Sequence, residues 1–151
     1  MLKKIFSLLI ILLVTHCGFT PIYNTSDKIN YKINIVKVDG DKFLNNLISS
    51  EIKRISSSES SNIFNIKINT FYEKIILSKD IKGTASDYQL IIRSDFVIEK
   101  NNKIENVSFK KKQNIKNTSD IFEQKNYENT IKKNFAISIV RKLNLKLLNQ
   151  Q

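Results

Sequence analysis

The chain has 151 residues, 41% of them hydrophobic and 26% charged, with a formal net charge of +11, which allows one domain with a real core and no second one. A single cysteine, a single histidine and three glycines exclude an internal disulfide and leave too few residues for paired nucleophile–base sets, metal-ligand clusters or a glycine-rich phosphate loop. The basic excess favours anionic partners, yet only Arg54, Arg93 and Arg141 among the 25 basic residues are arginine, and a chain crowded with Lys, Asn and Ile is what an AT-rich genome produces, so charge alone assigns no ligand.

Met1 to Lys4 carry two lysines, Ile5 to Val14 are apolar apart from Ser7, and Cys17 follows. This is the layout of an export signal. An apolar run of about ten residues is too short to cross a bilayer core as a helix, which takes about 20. The segment Val14-Thr15-His16-Cys17 resembles the bacterial lipobox, at which the leader is cut before a cysteine that then carries a lipid; His16 departs from the small residue usual at its position. The expectation is therefore a signal peptide over 1–16, lipidation at Cys17 and a mature chain of 135 residues. Loss of Lys3 and Lys4 would lower the formal charge to +9. Gly18 stands where an aspartate would retain such a protein in the inner membrane, so the outer membrane is the expected destination.

Residues 17–27, with the only proline at Pro21, show no periodicity and read as a tether. A single domain is expected over 28–151. Ile29, Tyr31, Ile33 and Ile35 alternate with polar residues and predict a first strand over 29–38. Asp39-Gly40-Asp41 breaks it, Asp41 is an N-cap, and a helix follows over 42–56. There Leu44, Leu47, Ile48, Ile52 and Ile55 form one stripe, with Asn45, Asn46, Lys53 and Arg54 elsewhere on its surface. Ser56 to Ser61 forms a serine-rich turn.

Three further strands are predicted. Phe64, Ile66 and Ile68 open one that runs through Tyr72 to Leu77. Tyr88, Leu90, Ile92, Phe96 and Ile98 share the parity of the next. Val107, Phe109 and Ile115 share that of the last, with Lys111 and Gln113 between them, so its end should be half buried. Asn101-Asn102-Lys103 is a tight hairpin signal, whereas Ser78 to Asp87, containing Gly83, predicts a longer hairpin whose tip projects. Asp120 caps a final long helix, with Glu123 three residues on in a box-like arrangement. Tyr127, Ile131, Phe135, Ile139, Leu143 and Leu147 recur every four residues, widened by Ala136 and Val140. The order is β-α-β-β-β-α, an α+β, two-layer sandwich in which a four-stranded sheet is packed by two helices.

No catalytic residue set, metal site or cofactor is expected: His16 leaves with the leader, Cys17 is acylated, and Asp39 and Asp41 read as turn and cap residues. Lys110-Lys111-Lys112 is a basic run, but alternation sends Lys110 and Lys112 to one face and Lys111 to the other, so it makes no continuous phosphate stripe. Export also removes the chain from nucleic acid.

The segment Cys17-Gly18-Phe19-Thr20-Pro21-Ile22-Tyr23 resembles the Cys-Gly-Phe-x-Pro-Leu-Tyr start of the LptE family of lipopolysaccharide-assembly lipoproteins, in its alphaproteobacterial form. The predicted element order, the Gly83 to Leu90 stretch and Asn126-Tyr127 at the long helix are similar to that family as well. The resemblance implies an outer-membrane lipoprotein, anchored through Cys17, that plugs an LptD-like β-barrel, supports its assembly and helps move lipopolysaccharide to the cell surface. Lys79 and Lys82 at the projecting hairpin and Lys110, Lys111 and Lys112 on the last strand are the expected contacts to lipopolysaccharide or barrel. The competing reading is a periplasmic lipoprotein acting as a structural adaptor for another envelope protein.

Overall fold

A computed structural model describes residues 30–150; the predicted leader, the Cys17 lipidation site, the tether and Ile29 lie outside them. In chain order the elements are β1 (Lys32–Gly40), α1 (Lys42–Ile55), β2 (Ile63–Lys79), β3 (Ala85–Lys100), β4 (Lys103–Lys116) and α2 (Ile121–Leu148). The sheet order is β1-β2-β3-β4. β1 lies parallel to β2, and the two later pairs are antiparallel. The expected α+β architecture, a four-stranded sheet with two helices in the order β-α-β-β-β-α, is what the chain adopts, and the sheet is mixed.

Alternation selects the buried face of each strand. Tyr31, Ile33, Phe64, Ile66, Ile68, Leu90, Ile92, Phe96 and Ile98 are buried, against Leu44, Ile48 and Ile52 of α1 and Ile131, Phe135, Ile139 and Leu143 of α2. The Tyr31 ring meets Phe64 edge-on at 5.5 Å between centroids and its hydroxyl donates to Asn144 Oδ1 on α2. Burial pushes the Tyr31 phenol up to about 12.

β1 begins and ends later than predicted. Its register against β2 shifts between Ile35 and Lys37, which spoils the alternation and leaves Val36 and Val38 exposed. Gly40 ends it at φ +96°, with Thr70 O only 1.9 Å from where a Cβ would stand. No other residue fits that crossing without moving β2. Asp41 then caps α1 by accepting from Leu44 N at 2.8 Å.

Asn45, expected on the helix surface, is buried. Its amide donates to Asp39 O at 3.0 Å, and its oxygen accepts from the buried Thr70 hydroxyl at 2.8 Å. This small polar link, which satisfies groups that burial would otherwise penalise, ties the end of β1 to α1 and β2. The serine turn also does more than stop a helix: Ser56 Oγ accepts from Ile33 N, and Ser60 Oγ donates to Asn30 O, both at 2.8 Å.

The two hairpins differ as predicted. Lys100 pairs with Lys103 across Asn101 and Asn102, both at positive φ, the two-residue turn that follows strand twist. Lys79 pairs with Ala85, so the longer hairpin keeps its ladder almost to a tip at Asp80 to Thr84. β4 corrects one expectation: Lys111 is exposed in mid-strand while Ile115, near the end, is buried again. α2 corrects another. Asp120 accepts from Phe122 N and Glu123 N, but the reciprocal bond to the chain before the helix comes from Gln124, whose oxygen accepts from Thr118 N. Tyr127, placed in the buried stripe by its spacing, is half exposed.

Candidate functional site

The parallel pairing of β1 reaches only Thr70 of β2, whereas β2 continues for nine more residues. At about 3.3 Å per residue β2 is some 56 Å long, and α2 near 42 Å. The β2–β3 hairpin is therefore the far end of the molecule. Its tip is held rigid from within: Asp80 Oδ1 accepts from Lys82 N and Thr84 N, both at 2.8 Å, and Asp80 N donates to Thr84 O. Lys79 and Lys82 flank Ile81, which is fully exposed. Behind the tip the Ser78 and Ser86 hydroxyls hold the Asp87 carboxyl below its ordinary value.

The lysine run lies elsewhere. Lys110 and Lys112 are on the sheet face turned away from the helices, opposite Arg93 and Ile91 of β3; Lys111 is opposite Ile92 and shares the helix-side parity. All three are exposed. The rung of Lys112 is six residues from Ala85, about 20 Å along the strand from the hairpin tip. The five lysines singled out in the sequence thus fall into three places.

What joins Lys110 is Arg93, which sequence reasoning did not select. Its guanidinium stacks on Phe71, 4.1 Å from the ring centroid, and lies 3.1 Å from Asp95. Phe71, Glu73, Ile91, Arg93 and Lys110 line a shallow groove of about 200 Å³. Arg93 and Lys110 stand directly opposite on neighbouring strands, with two acidic groups close by, Asp95 paired with Arg93 and Glu73 in the groove lining. The signal was available in parity, since Arg93 falls between the buried Ile92 and Ser94 and must face outward, but its neighbours Phe71 and Lys110 are 22 and 17 positions away.

On the opposite face, α2 is locked to β2 by a polar cluster. Glu128 accepts from Lys74 Nζ at 2.6 Å, Tyr72 Oη at 2.9 Å and Gln124 Nε2 at 3.0 Å. Burial, the largest single influence, pushes its carboxyl up, but these donors outweigh burial and leave it below its ordinary value. Burial and the Glu128 bond push the Tyr72 phenol far up. Lys132 sits 3.5 Å over the Tyr72 ring and 3.9 Å from Asp41. With its partners inside the fold, the cluster holds helix to sheet. Among the described residues no three His, Cys, Asp or Glu side chains converge as metal ligands, and no helix is long and apolar enough to cross a membrane.

No family model matches the chain, and no curated protein matches it. Solved structures do. Rare lipoprotein B from Shewanella oneidensis aligns with 78% of this chain and 98% of its own at 13% identity, TM-score 0.58. Lipoprotein B from Nitrosomonas europaea aligns with 77% of this chain and 83% of its own at 15% identity, TM-score 0.51. A minor lipoprotein from Acinetobacter baumannii aligns with 73% and 93% at 14% identity, TM-score 0.50. At these identities the shared property is the fold: one sheet and two helices in the same arrangement.

Proposed function

We propose that this chain is a lipid-anchored envelope lipoprotein of the LptE type, held at the outer membrane by acyl chains on Cys17, which acts by contact as a plug and assembly aid for an LptD-like β-barrel and assists lipopolysaccharide transport. The observation that carries the reading is a juxtaposition: the Cys-Gly-Phe-Thr-Pro-Ile-Tyr string of residues 17–23 stands just ahead of a domain whose fold is that of solved lipoproteins. Physical support comes from the outward sheet face, where Arg93, Lys110 and Lys112 would meet phosphorylated lipid head groups or the polar wall of a water-filled barrel. The Arg93 fork is the part able to grip a phosphate bidentately.

Two experiments test this. Mass spectrometry of the purified mature protein should find Cys17 as the acylated first residue, and detergent extraction with a tag on the C-terminal end should bring down a large β-barrel protein. An unmodified Cys17 removes the anchor, and an acylated protein that co-purifies with a different envelope protein favours the adaptor role. For the ligand, Arg93→Gln with Lys110→Gln and Lys112→Gln should weaken lipopolysaccharide binding in a salt-dependent way; the pair Lys79→Gln and Lys82→Gln, and Lys111→Gln alone, probe the other two places. Unchanged binding at low salt in all three would remove these side chains as contacts.

A further inference from the structure

Exposed apolar residues occur on every element of the fold except β3, but the three most exposed among the described residues, Ile81, Ile121 and Phe122, belong to the hairpin tip and the first turn of α2. Ile76 and Leu77 on β2 are about half exposed, Ile81 at the hairpin tip is fully so, and Ile121 and Phe122 in the first turn of α2 are 84% and 74% exposed. The hydrogen bonds of Asn117 to Ser86 O and Ala85 O, each 2.8 Å, fix the start of α2 beside the base of the hairpin. These residues therefore share one end of the fold. Single exposed apolar residues need no explanation, but a grouped set does.

We infer that this end of the domain dips into the surface of an anionic lipid bilayer, with Ile81 as the leading residue and Lys79 and Lys82 at the level of the head groups. The inference concerns the lipoprotein before any barrel is engaged, and it needs no barrel.

Three observations select a lipid surface. Three of the acidic groups here are held by local hydrogen bonds, Asp80 by two backbone N–H groups, Asp87 by two serine hydroxyls and Asp120 by the first N–H groups of α2, while Glu123 in the first turn of α2 is exposed. Lys79 and Lys82, by contrast, have no ion-pair partner among the described residues. Secondly, the tip presents isoleucine and lysine with no Trp, Tyr or Arg, the types that anchor protein–protein contacts, and lysine is depleted in such interfaces. Long lysine stems lie along apolar surface while their ammonium groups reach phosphate. Finally, the tip is already closed by its own hydrogen bonds through Asp80, so seating Ile81 in a bilayer asks little further ordering of its backbone.

The chain contains no tryptophan, so a single Trp reports its own surroundings. The full chain carrying Ile81→Trp, mixed with phosphatidylcholine vesicles containing phosphatidylglycerol, should show blue-shifted emission and quenching by lipids brominated on their acyl chains. Ile104→Trp, at the β3–β4 end of the sheet, should show neither. The comparison is made without acyl chains on Cys17, because the start of β1 lies at the same end of the sheet as Ile104 and an anchor there would hold the control position near lipid; failure of this test is separate from failure to find a lipid or a barrel. Adding Lys79→Gln or Lys82→Gln should lower the quenched fraction at low salt, with a change of about fivefold in the insertion equilibrium per lysine, and Ile81→Asp should make the tip resist insertion in a parallel hydrogen-exchange measurement over 76–82. Equal signals from positions 81 and 104, or none from position 81, overturn the inference. Insertion into neutral and anionic vesicles alike overturns the part assigned to the lysines.

Discussion

Glu128 is the residue at which the packing of α2 on the sheet can be tested most sharply. Replacing it by glutamine keeps the shape of the side chain and removes the charge. In the wild type one carboxylate, with its side chain 15% exposed, accepts from Lys74, Tyr72 and Gln124. A glutamine offers one acceptor oxygen to these three donors and must aim its own N–H₂ among them. Charge-assisted bonds contribute about 1.5 to 3 kcal/mol where neutral ones contribute about 1. Lys74, 28% exposed, recovers part of its loss from water, so Glu128→Gln should cost about 1.5 kcal/mol at neutral pH. For a domain of this size that lowers Tm by about 5 °C, measurable by circular dichroism or calorimetry. The pH dependence has a fixed sign. The folded-state carboxyl lies below its ordinary value of 4.5, so its contribution is present above that value and lost as pH falls through the folded one. The gap between wild type and variant should therefore close in acid. A gap of the same size at pH 7 and at low pH, or no gap at all, would refute the account of this cluster, and a double-mutant cycle with Lys74→Met would show whether the coupling lies in that pair.

Gly40→Ala should cost at least about 2 kcal/mol in urea unfolding, from a strained positive φ together with the clash on Thr70 O, whereas Gly83→Ala, with similar φ but open space around it, should cost about 1 kcal/mol. Leu143→Ala removes a side chain with no exposure and should cost about 3 to 4 kcal/mol, while Leu145→Ala, on the opposite side of α2 and 57% exposed, should stay within about 0.5 kcal/mol of wild type; equal costs would misplace the buried stripe. In a spectrophotometric titration Tyr31 and Tyr72 should remain protonated well above pH 10, the ordinary value of a phenol. Their raised values mean that the associated stability is whole below that pH and is lost as pH climbs, through about 12 for Tyr31. Complete ionisation of Tyr31 and Tyr72 at the ordinary phenol value in the folded protein would contradict the burial of both.

Much of this architecture is written locally. A period of two marks the strands, stripes at three and four residues mark the helices, and Asp41, Asp120 and Asn101-Asn102 mark caps and a turn, because each depends on the few residues around it. The element order and most of the core follow from those signals. The string around Cys17 likewise carries its resemblance in consecutive residues. What pairing and crossing decide is different in kind. Asn45 is polar on a helix and reads as surface, but it is buried because β1 and Thr70 of β2 arrive above it with the two bonds that make burial tolerable. Gln124 rather than Glu123 completes the α2 cap because Thr118, not the residue nearest in sequence, presents the free N–H. Arg93 gains its meaning from Phe71 and Lys110, which only sheet register sets beside it, and the same register holds the lysines of the hairpin about 20 Å from those of β4. Sequence periodicity tells which way a side chain faces; which distant residue it then meets is set by strand pairing and helix crossing, where contacts between remote segments hold the balance of free energy.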